Sequence, residues 1–394
     1  MNTKYTILLA IFAIVIIAGS IVAYSYYNSN TNNPNTPTNT PTNTNTPTDT
    51  TTPTSAPVPA SLTGAGASFP YPLIDKMITD YNRVKPHIQV NYQPSGSGAG
   101  ITALIDKTVD FAGSDAPLSV AEREKAPNTL HIPETIGSIA VTYNIVGVSS
   151  GLKLTGQMIA DIFEGKITMW NDPVIVNINQ GIVLPAAKIV TVHRSDSSGT
   201  SFVFTGYLSE VSVSWKSNVG QGKSVAWPLA NDIASSGNAG VAQLVSSTAY
   251  SIGYVELAHV LQTDMTVAAV QNPAGNYVLP TLETTTIAAQ SIASAGLPAG
   301  NADWASVNIL NAKAADAYPI VSFSYILVYK ELNVIPGMTQ NRATALVQFL
   351  WYMIHDGQTL ANSLEYAPLP SNVVTINEAT IRSITFNGQT LPTA

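Results

Sequence analysis

An α/β fold is the class this sequence predicts, and three observations predict it. Three short Gly/Ser-rich loops, GAGASFP (64–70), SGSGAG (95–100) and SDSSGTS (195–201), each run into an apolar pattern of helical period. Alternating, strand-like runs, IQVNYQ and KIVTVH, precede the second and third loops. The 394-residue chain is 45% hydrophobic and 10% charged, ample for a core in one large or two medium domains. Strand–loop–helix junctions repeated in one such chain imply a sheet covered by helices.

The elements follow in order. From Thr6 to Tyr24 there are nineteen residues without a charge. That length crosses a hydrocarbon core of about 30 Å as a helix. Lys4 precedes it and no basic residue follows nearby, so the bias of positive charge leaves the N-terminus inside and the body exported. A cleaved signal peptide, cut near the small residues AGS at 18–20, is the rival expectation. Residues 30–60 are almost wholly Thr, Asn and Pro, with Asp49 as their single charge. Such a tract has too little apolar surface to offset chain entropy, and reads as a disordered or polyproline-like stalk reaching ~90 Å at ~3.1 Å per residue.

Beyond Ser61 the first loop opens a helix with Leu73, Ile74, Met77, Ile78 and Tyr81 on one face. The second opens one carrying Ile101, Leu104, Ile105 and Thr108, and the third one carrying Phe202, Val203, Tyr207 and Leu208. A first helical turn holds unpaired N–H groups and the positive end of the dipole, so loops of this kind suit anions. A fourth stretch, TVDFAGSDAPLS (108–119), rises to Ser114 and Asp115 in a turn marked by Pro117. The Glu122-Arg123-Glu124 run reads as a solvated helix face.

Composition narrows the chemistry. A formal net charge of −7 argues against a non-specific nucleic-acid binder. The chain has no cysteine, which removes disulfides, thiolate metal sites, cysteine nucleophiles and a lipidated cysteine. His87, His131, His193, His259 and His355 are scattered without HExxH spacing, so neither a metal nor a cofactor is expected. Gly96, Gly98 and Gly100 are spaced GxGxG rather than GxGxxG, and no P-loop lysine follows. The stretch HRSDSSGTSF (193–202) admits two readings, a serine nucleophile beside His193 or an anion cradle that does no chemistry. His193 and Ser195 sit two residues apart on one strand end and no G-x-S-x-G elbow occurs, which favours the cradle, with His193 packed against a neighbouring helix.

In order along the chain, GAGASFP, GSGAG, DFAGSDAPLS and HRSDSSGTSF resemble the phosphate-binding proteins of Pst-type phosphate ABC transporters. IFEGKITMWND, WKSNVGQGKSVAWP, SIGYVE, AYPIVSFSYILVYK and LEYAPLP extend the resemblance from residue 61 to the C-terminus. It implies a two-lobed, periplasmic-binding-protein-like (class II) fold, with two hinge crossings near 137–141 and 316–322. The expected organisation is a signal anchor (1–27), a stalk (28–60), one lobe from 61–138 and 319–394, and the other from 139–318.

Carried over by position, the resemblance implies that Ser68 and the Phe69 amide bind phosphate from the first loop, and Ser97 from the second. Asp115 matches the acidic ligand, while Arg194, Ser198, Gly199 and Thr200 match those of the third loop. Asp196 matches a residue that pairs with the arginine. The departure at Pro94 and Ser95 leaves Ser95 as a rival to Ser97. A carboxylate at Asp115 repels an anion that has no proton to donate, so it selects phosphate over sulfate. The expectation is a monomeric, non-enzymatic receptor, anchored in the cytoplasmic membrane with its binding domain outside, that delivers phosphate to an ABC permease. A cysteine-free anchor on a Thr/Pro stalk suits an archaeal cell surface. The alternatives are a surface phosphohydrolase, a receptor for another tetrahedral oxyanion, and a structural surface-layer component.

Overall fold

Alternation in the sequence becomes one-sided burial at the sheet edge. The strands, in chain order, begin with β1 (Ala60–Gly66), β2 (Ile88–Gln93), β3 (Phe111–Ser114) and the long β4 (Thr129–Asn144). In β2, Ile88 and Val90 face the core while Gln89 and Asn91 face solvent. The computed structural model describes residues 58–229, 232–292 and 296–393, so the expected anchor and the stalk up to residue 57 lie outside the described residues. Among the described residues no helix is long and apolar enough to cross a membrane.

The chain continues with β5 (Lys153–Leu154), β6 (Val190–Arg194), β7 (Ile233–Ser235), β8 (Ser251–Glu256) and β9 (Thr266–Val267). After β10 (Ala269–Gln271) and β11 (Tyr277–Val278) comes β12 (Val321–Tyr329). The main sheet runs β2-β1-β3-β12-β4-β8-β6-β7. β1 is parallel to β2 and β3, and β6 is parallel to β7 and β8, whereas β12 and β4 are antiparallel to their neighbours. The fold is α/β and two-lobed, and β4 is common to both halves. Its residues Thr129 to Ser138 pair with β12, and Ile139 to Asn144 pair with β8.

Three helices start at the Gly/Ser-rich loops. Tyr71–Val84 buries Leu73, Ile74, Met77 and Tyr81, and leaves Ile78 half-buried. Ser97–Ile105 buries Ile101 and Leu104. Thr108 was expected on that face but is exposed beyond the helix end, because Lys107 turns the backbone to a φ of 56°. Gly199–Val211 is buried almost all round, Thr205 and Gly206 as fully as Val203, Phe204, Tyr207 and Leu208, while Phe202 is half-buried. A helix enclosed on most sides loses the one-faced pattern from which it was read. Trp170, Trp215 and Trp304 are fully buried, and aromatic anchors of this size dominate core energetics.

Candidate functional site

The three loops, together with a fourth, meet at the sheet ends. β1 delivers Ser68 and Phe69, and the turn after β2 delivers Ser97 as the first residue of its helix. β3 ends at Ser114, which places Asp115, and β6 ends at Arg194, from which the chain runs through Asp196 to the helix start at Gly199. Hydrogen bonds join these segments across long sequence distances. Ser97 Oγ accepts from the Gly199 amide (3.1 Å) and from the Asp115 amide (3.2 Å). Ser97 is fully buried, whereas Ser95 is half-buried and its amide turns back to the Gln93 carbonyl. Ser97 therefore occupies the junction of the second and third loops, and Ser95 does not.

The arginine is held on two sides. Arg194 Nε donates to Asp196 Oδ1 (2.7 Å) and one terminal nitrogen to Asp196 Oδ2 (2.5 Å), a fork-to-fork pair. The other terminal nitrogen donates to Thr200 Oγ1 (3.2 Å), and the Arg194 amide donates to Tyr254 OH (3.1 Å). The arginine side chain is 1% exposed and that of Asp196 is 14% exposed. This is no surface ion pair. Burial alone would raise the Asp196 carboxyl, but the hydrogen bonds and charge of Arg194 hold it below its ordinary value.

Asp115 behaves oppositely. Burial pushes it up to about 7, against the lowering influence of the Ser324 hydroxyl and of Arg194. Its Oδ1 accepts from Ser324 Oγ at 2.9 Å. Its Oδ2 lies toward the third loop, where a Cβ added to Gly199 would collide with both Ser97 Oγ and Asp115 Oδ2. A cavity of about 710 Å³ reaches Asp115 between the Gly199–Val211 helix, β12 and residues 305–311.

Ser68 Oγ accepts from the Asn238 amide (3.0 Å) and from Asn238 Nδ2 (3.2 Å), and the Ser68 carbonyl accepts from His259 Nε2 (2.9 Å). Burial lowers His259 to about 4, so the ring is neutral with its proton on Nε2. Phe69 is fully buried, with its carbonyl accepting from Tyr366 OH at 2.7 Å. Ser198 is fully buried and caps its helix, its Oγ accepting from the Ser201 amide (3.0 Å) while the hydroxyl keeps a proton to donate.

Asn238 is the residue that reading along the chain missed. Its Nδ2 donates to Ser68 Oγ and to Thr200 Oγ1 (3.0 Å), and its Oδ1 accepts from the Glu256 amide (3.0 Å). It ties the first loop, the third loop and the end of β8 together. A signal existed: IASSGNAGV (233–241) is another strand–Ser/Gly–helix junction, opening the helix Gly237–Ser247.

Two expectations need correction. His193 packs on the Trp227 ring (4.6 Å between centroids) and bonds Asp232 Oδ2 (2.9 Å), rather than lying against a helix. Its ring nitrogens contact Asp232 and the Arg194 carbonyl, not a serine, so the described geometry contains no serine–histidine pair at this loop. The Glu122-Arg123-Glu124 run is solvated only at Glu124. Glu122 completes a capping box with Ser119 and pairs with Lys223, and Arg123 donates to the Ala302 carbonyl. Among the described residues no group of His, Asp and Glu is arranged to hold a metal ion.

Comparison with known proteins follows the same lines. Residues 48–356 match the PBP superfamily domain. The phosphate-binding protein PstS of Xylella fastidiosa is 43% identical over 324 residues, 81% of this chain and 84% of that protein. PstS of Methanocaldococcus jannaschii is 38% identical over 79% of this chain and 83% of its own length. Among solved structures, a human phosphate-binding apolipoprotein superposes with a TM-score of 0.64 at 19% identity, covering 84% of this chain and 100% of its own. A periplasmic phosphate-binding protein bound with phosphate superposes with a TM-score of 0.63 at 21% identity, over 81% of this chain and 93% of its own; both likenesses concern the fold. The chain therefore belongs to the PBP superfamily and, within it, to the PstS family of phosphate-binding proteins.

Proposed function

We propose that this protein captures inorganic phosphate between its lobes and delivers it to an ABC permease. The observation that carries the reading is the surrounding of one buried acid, Asp115, by Ser97, Gly199 and Arg194 within the same junction. Arg194 and the helix start at Gly199 attract an anion, and the amides of Phe69 and Thr200 with the hydroxyls of Ser68, Ser97, Ser198 and Thr200 supply donors, joined by the Gly199 amide once the ligand replaces Ser97 Oγ as its acceptor. Asp115 adds a requirement. Ionised, its Oδ2 needs a proton from the ligand, which hydrogen phosphate carries near neutral pH and sulfate lacks.

The change of partner along β4 at Ser138/Ile139, together with the return of the chain into β12, supports hinge crossings there, with lobes of 61–138 plus 319–394 and of 139–318. The apolar run of residues 6–24 and the Thr/Pro-rich tract support a tether that holds the monomeric receptor outside the cytoplasmic membrane. Calorimetric titration at neutral pH tests the reading. Phosphate is expected to bind and equimolar sulfate to leave the protein unchanged; equal affinity for the two would remove the role given to Asp115. A receptor needs no turnover, and release of p-nitrophenol from its phosphate ester by metal-replete protein would favour a hydrolase instead.

A further inference from the structure

Strands β4 and β12 lose simple register at one point. Ser324 stands opposite Thr135 and Tyr325 opposite Pro133, so Glu134 is an extra residue in β4 without a partner across the ladder. A bulge of this kind re-aims the side chain it carries. Two side-chain amides pin its backbone: Asn377 Nδ2 donates to the Pro133 carbonyl (2.6 Å) and Gln358 Nε2 to the Glu134 carbonyl (2.9 Å). The Glu134 carboxyl is thereby aimed at Ser324, with 3.3 Å between Oε1 and Oγ. The same Oγ is 2.9 Å from Asp115 Oδ1. Glu134 is 1% exposed and Ser324 is fully buried.

One hydroxyl proton stands between two carboxyl groups. Ser324 donates to one of them, and the other meets a lone pair unless it brings a proton of its own. The shorter contact is to Asp115. The arrangement in which every group is satisfied has Glu134 as a carboxylic acid donating to Ser324 Oγ, and Ser324 donating to Asp115 Oδ1.

We propose that Glu134, aimed by the β4 bulge, is a positioning residue that acts through Ser324 to fix Asp115 as a proton acceptor, with Oδ2 directed at the ligand's hydroxyl. The role rests on the phosphate reading above and deepens it. Burial, with the Asp115 charge second, raises Glu134 to about 8, in keeping with a neutral acid at pH 7. The titratable groups that face this pair come from several elements. Arg194 and Asp196 face Asp115 from the third loop, Glu256 from the end of β8 and Tyr325 from β12, while Tyr92 on β2 and Tyr366 sense both carboxyls. Arg194 supplies the positive charge among them. When Glu134 loses its proton at alkaline pH, two carboxylates compete for one hydroxyl and a second negative charge stands beside the anion.

Phosphate titrations of the full-length chain between about pH 6 and 9.5 test this, using wild type, Glu134→Gln and Glu134→Ala. Glutamine keeps a neutral donor toward Ser324, so its affinity at pH 7 is expected within about threefold of wild type, with alanine weaker by about tenfold. The pH profile is the signature. Titration of phosphate itself is common to both proteins and cancels in their ratio. The affinity of Glu134→Gln relative to wild type is expected to rise above pH 8, approaching about tenfold per pH unit as one proton is lost from wild type. A ratio that stays flat to pH 9.5, or glutamine as weak as alanine at pH 7, overturns the role. Should the alanine variant fail to fold, the glutamine-to-wild-type profile decides alone. Absence of phosphate binding by wild type at pH 7 overturns the phosphate reading and this role with it, whereas binding with a flat ratio overturns only the role of Glu134.

Discussion

The amide of Gly199 donates to Ser97 Oγ at 3.1 Å, a bond between helix starts 102 residues apart in the chain. Neither residue has room to spare. A Cβ at Gly199 would collide with Ser97 Oγ and the Asp115 carboxylate at once. Gly199→Ala should therefore hold the second and third loops apart, at a cost of about 1–3 kcal/mol. Calorimetry should read that as a roughly 5- to 150-fold weaker phosphate affinity, with a correspondingly smaller ligand-induced rise in Tm. Wild-type affinity in this variant would show that the contact is incidental.

Arg194→Lys tests the fork. A lysine is a point charge that cannot bond both oxygens of Asp196 while also reaching Thr200. Loss of one charge-assisted bond costs about 2 kcal/mol, so phosphate affinity is expected to fall roughly 30-fold although the net charge is unchanged. An affinity within threefold of wild type, by calorimetry, would mean that charge alone holds the ligand.

Asn238→Ala removes the joint between Ser68, Thr200 and the Glu256 amide. The Glu256 amide is left buried without its acceptor, which costs about 1–3 kcal/mol of stability. Both the melting temperature of the ligand-free protein and its phosphate affinity should drop. A fall in affinity alone would place Asn238 with the ligand rather than with the scaffold.

Glu256 offers a pH test with a defined sign. Tyr366 OH lies 2.7 Å from the Phe69 carbonyl and 3.0 Å from Glu256 Oε2, and its single proton serves one of them. A protonated Glu256 satisfies the other, and burial raises this carboxyl to about 8. A raised acid contributes its full stability below the unfolded value and loses it as pH climbs through the folded one. Relative to Glu256→Gln, which stays neutral and donates to Tyr366, wild type should lose up to about 1.4 kcal/mol per pH unit between roughly pH 4.5 and 8. Thermal melts of both proteins across that window read the difference, and parallel curves would show that Glu256 is ionised throughout.

Much of the site was legible because its parts are local. A hydroxyl or glycine just before a helical pattern announces a helix start, which marks the loops that carry Ser68, Ser97 and Thr200 as suited to an anion, while the choice of those residues as ligands comes from the family resemblance. Asn238 carries the same local signature in SSGNAGV, but nothing along the chain says that a fifth loop meets the other four. Glu134 carried no signature at all. In LHIPETIGS it reads as one polar residue in an apolar strand. Its meaning comes from a bulge, and a bulge is a property of two paired strands, here residues 190 positions apart. His193 was misplaced for a related reason, because its partners Trp227 and Asp232 lie in a loop that no periodicity locates.

By itself, then, the sequence determined what depends on neighbouring residues: the strand–loop–helix junctions, the helix starts rich in donors, the acid in the turn after β3, and an excess of apolar residues sufficient for an α/β core. Only the tertiary structure decided that Ser97 rather than Ser95 joins the loops, that Asn238 ties them together, and that Glu134 stands behind Asp115. The physical reason is reach. Capping and periodicity act over one or two turns, whereas a hydrogen bond across 102 or 209 residues exists only after the sheet has set which side chains share a buried face.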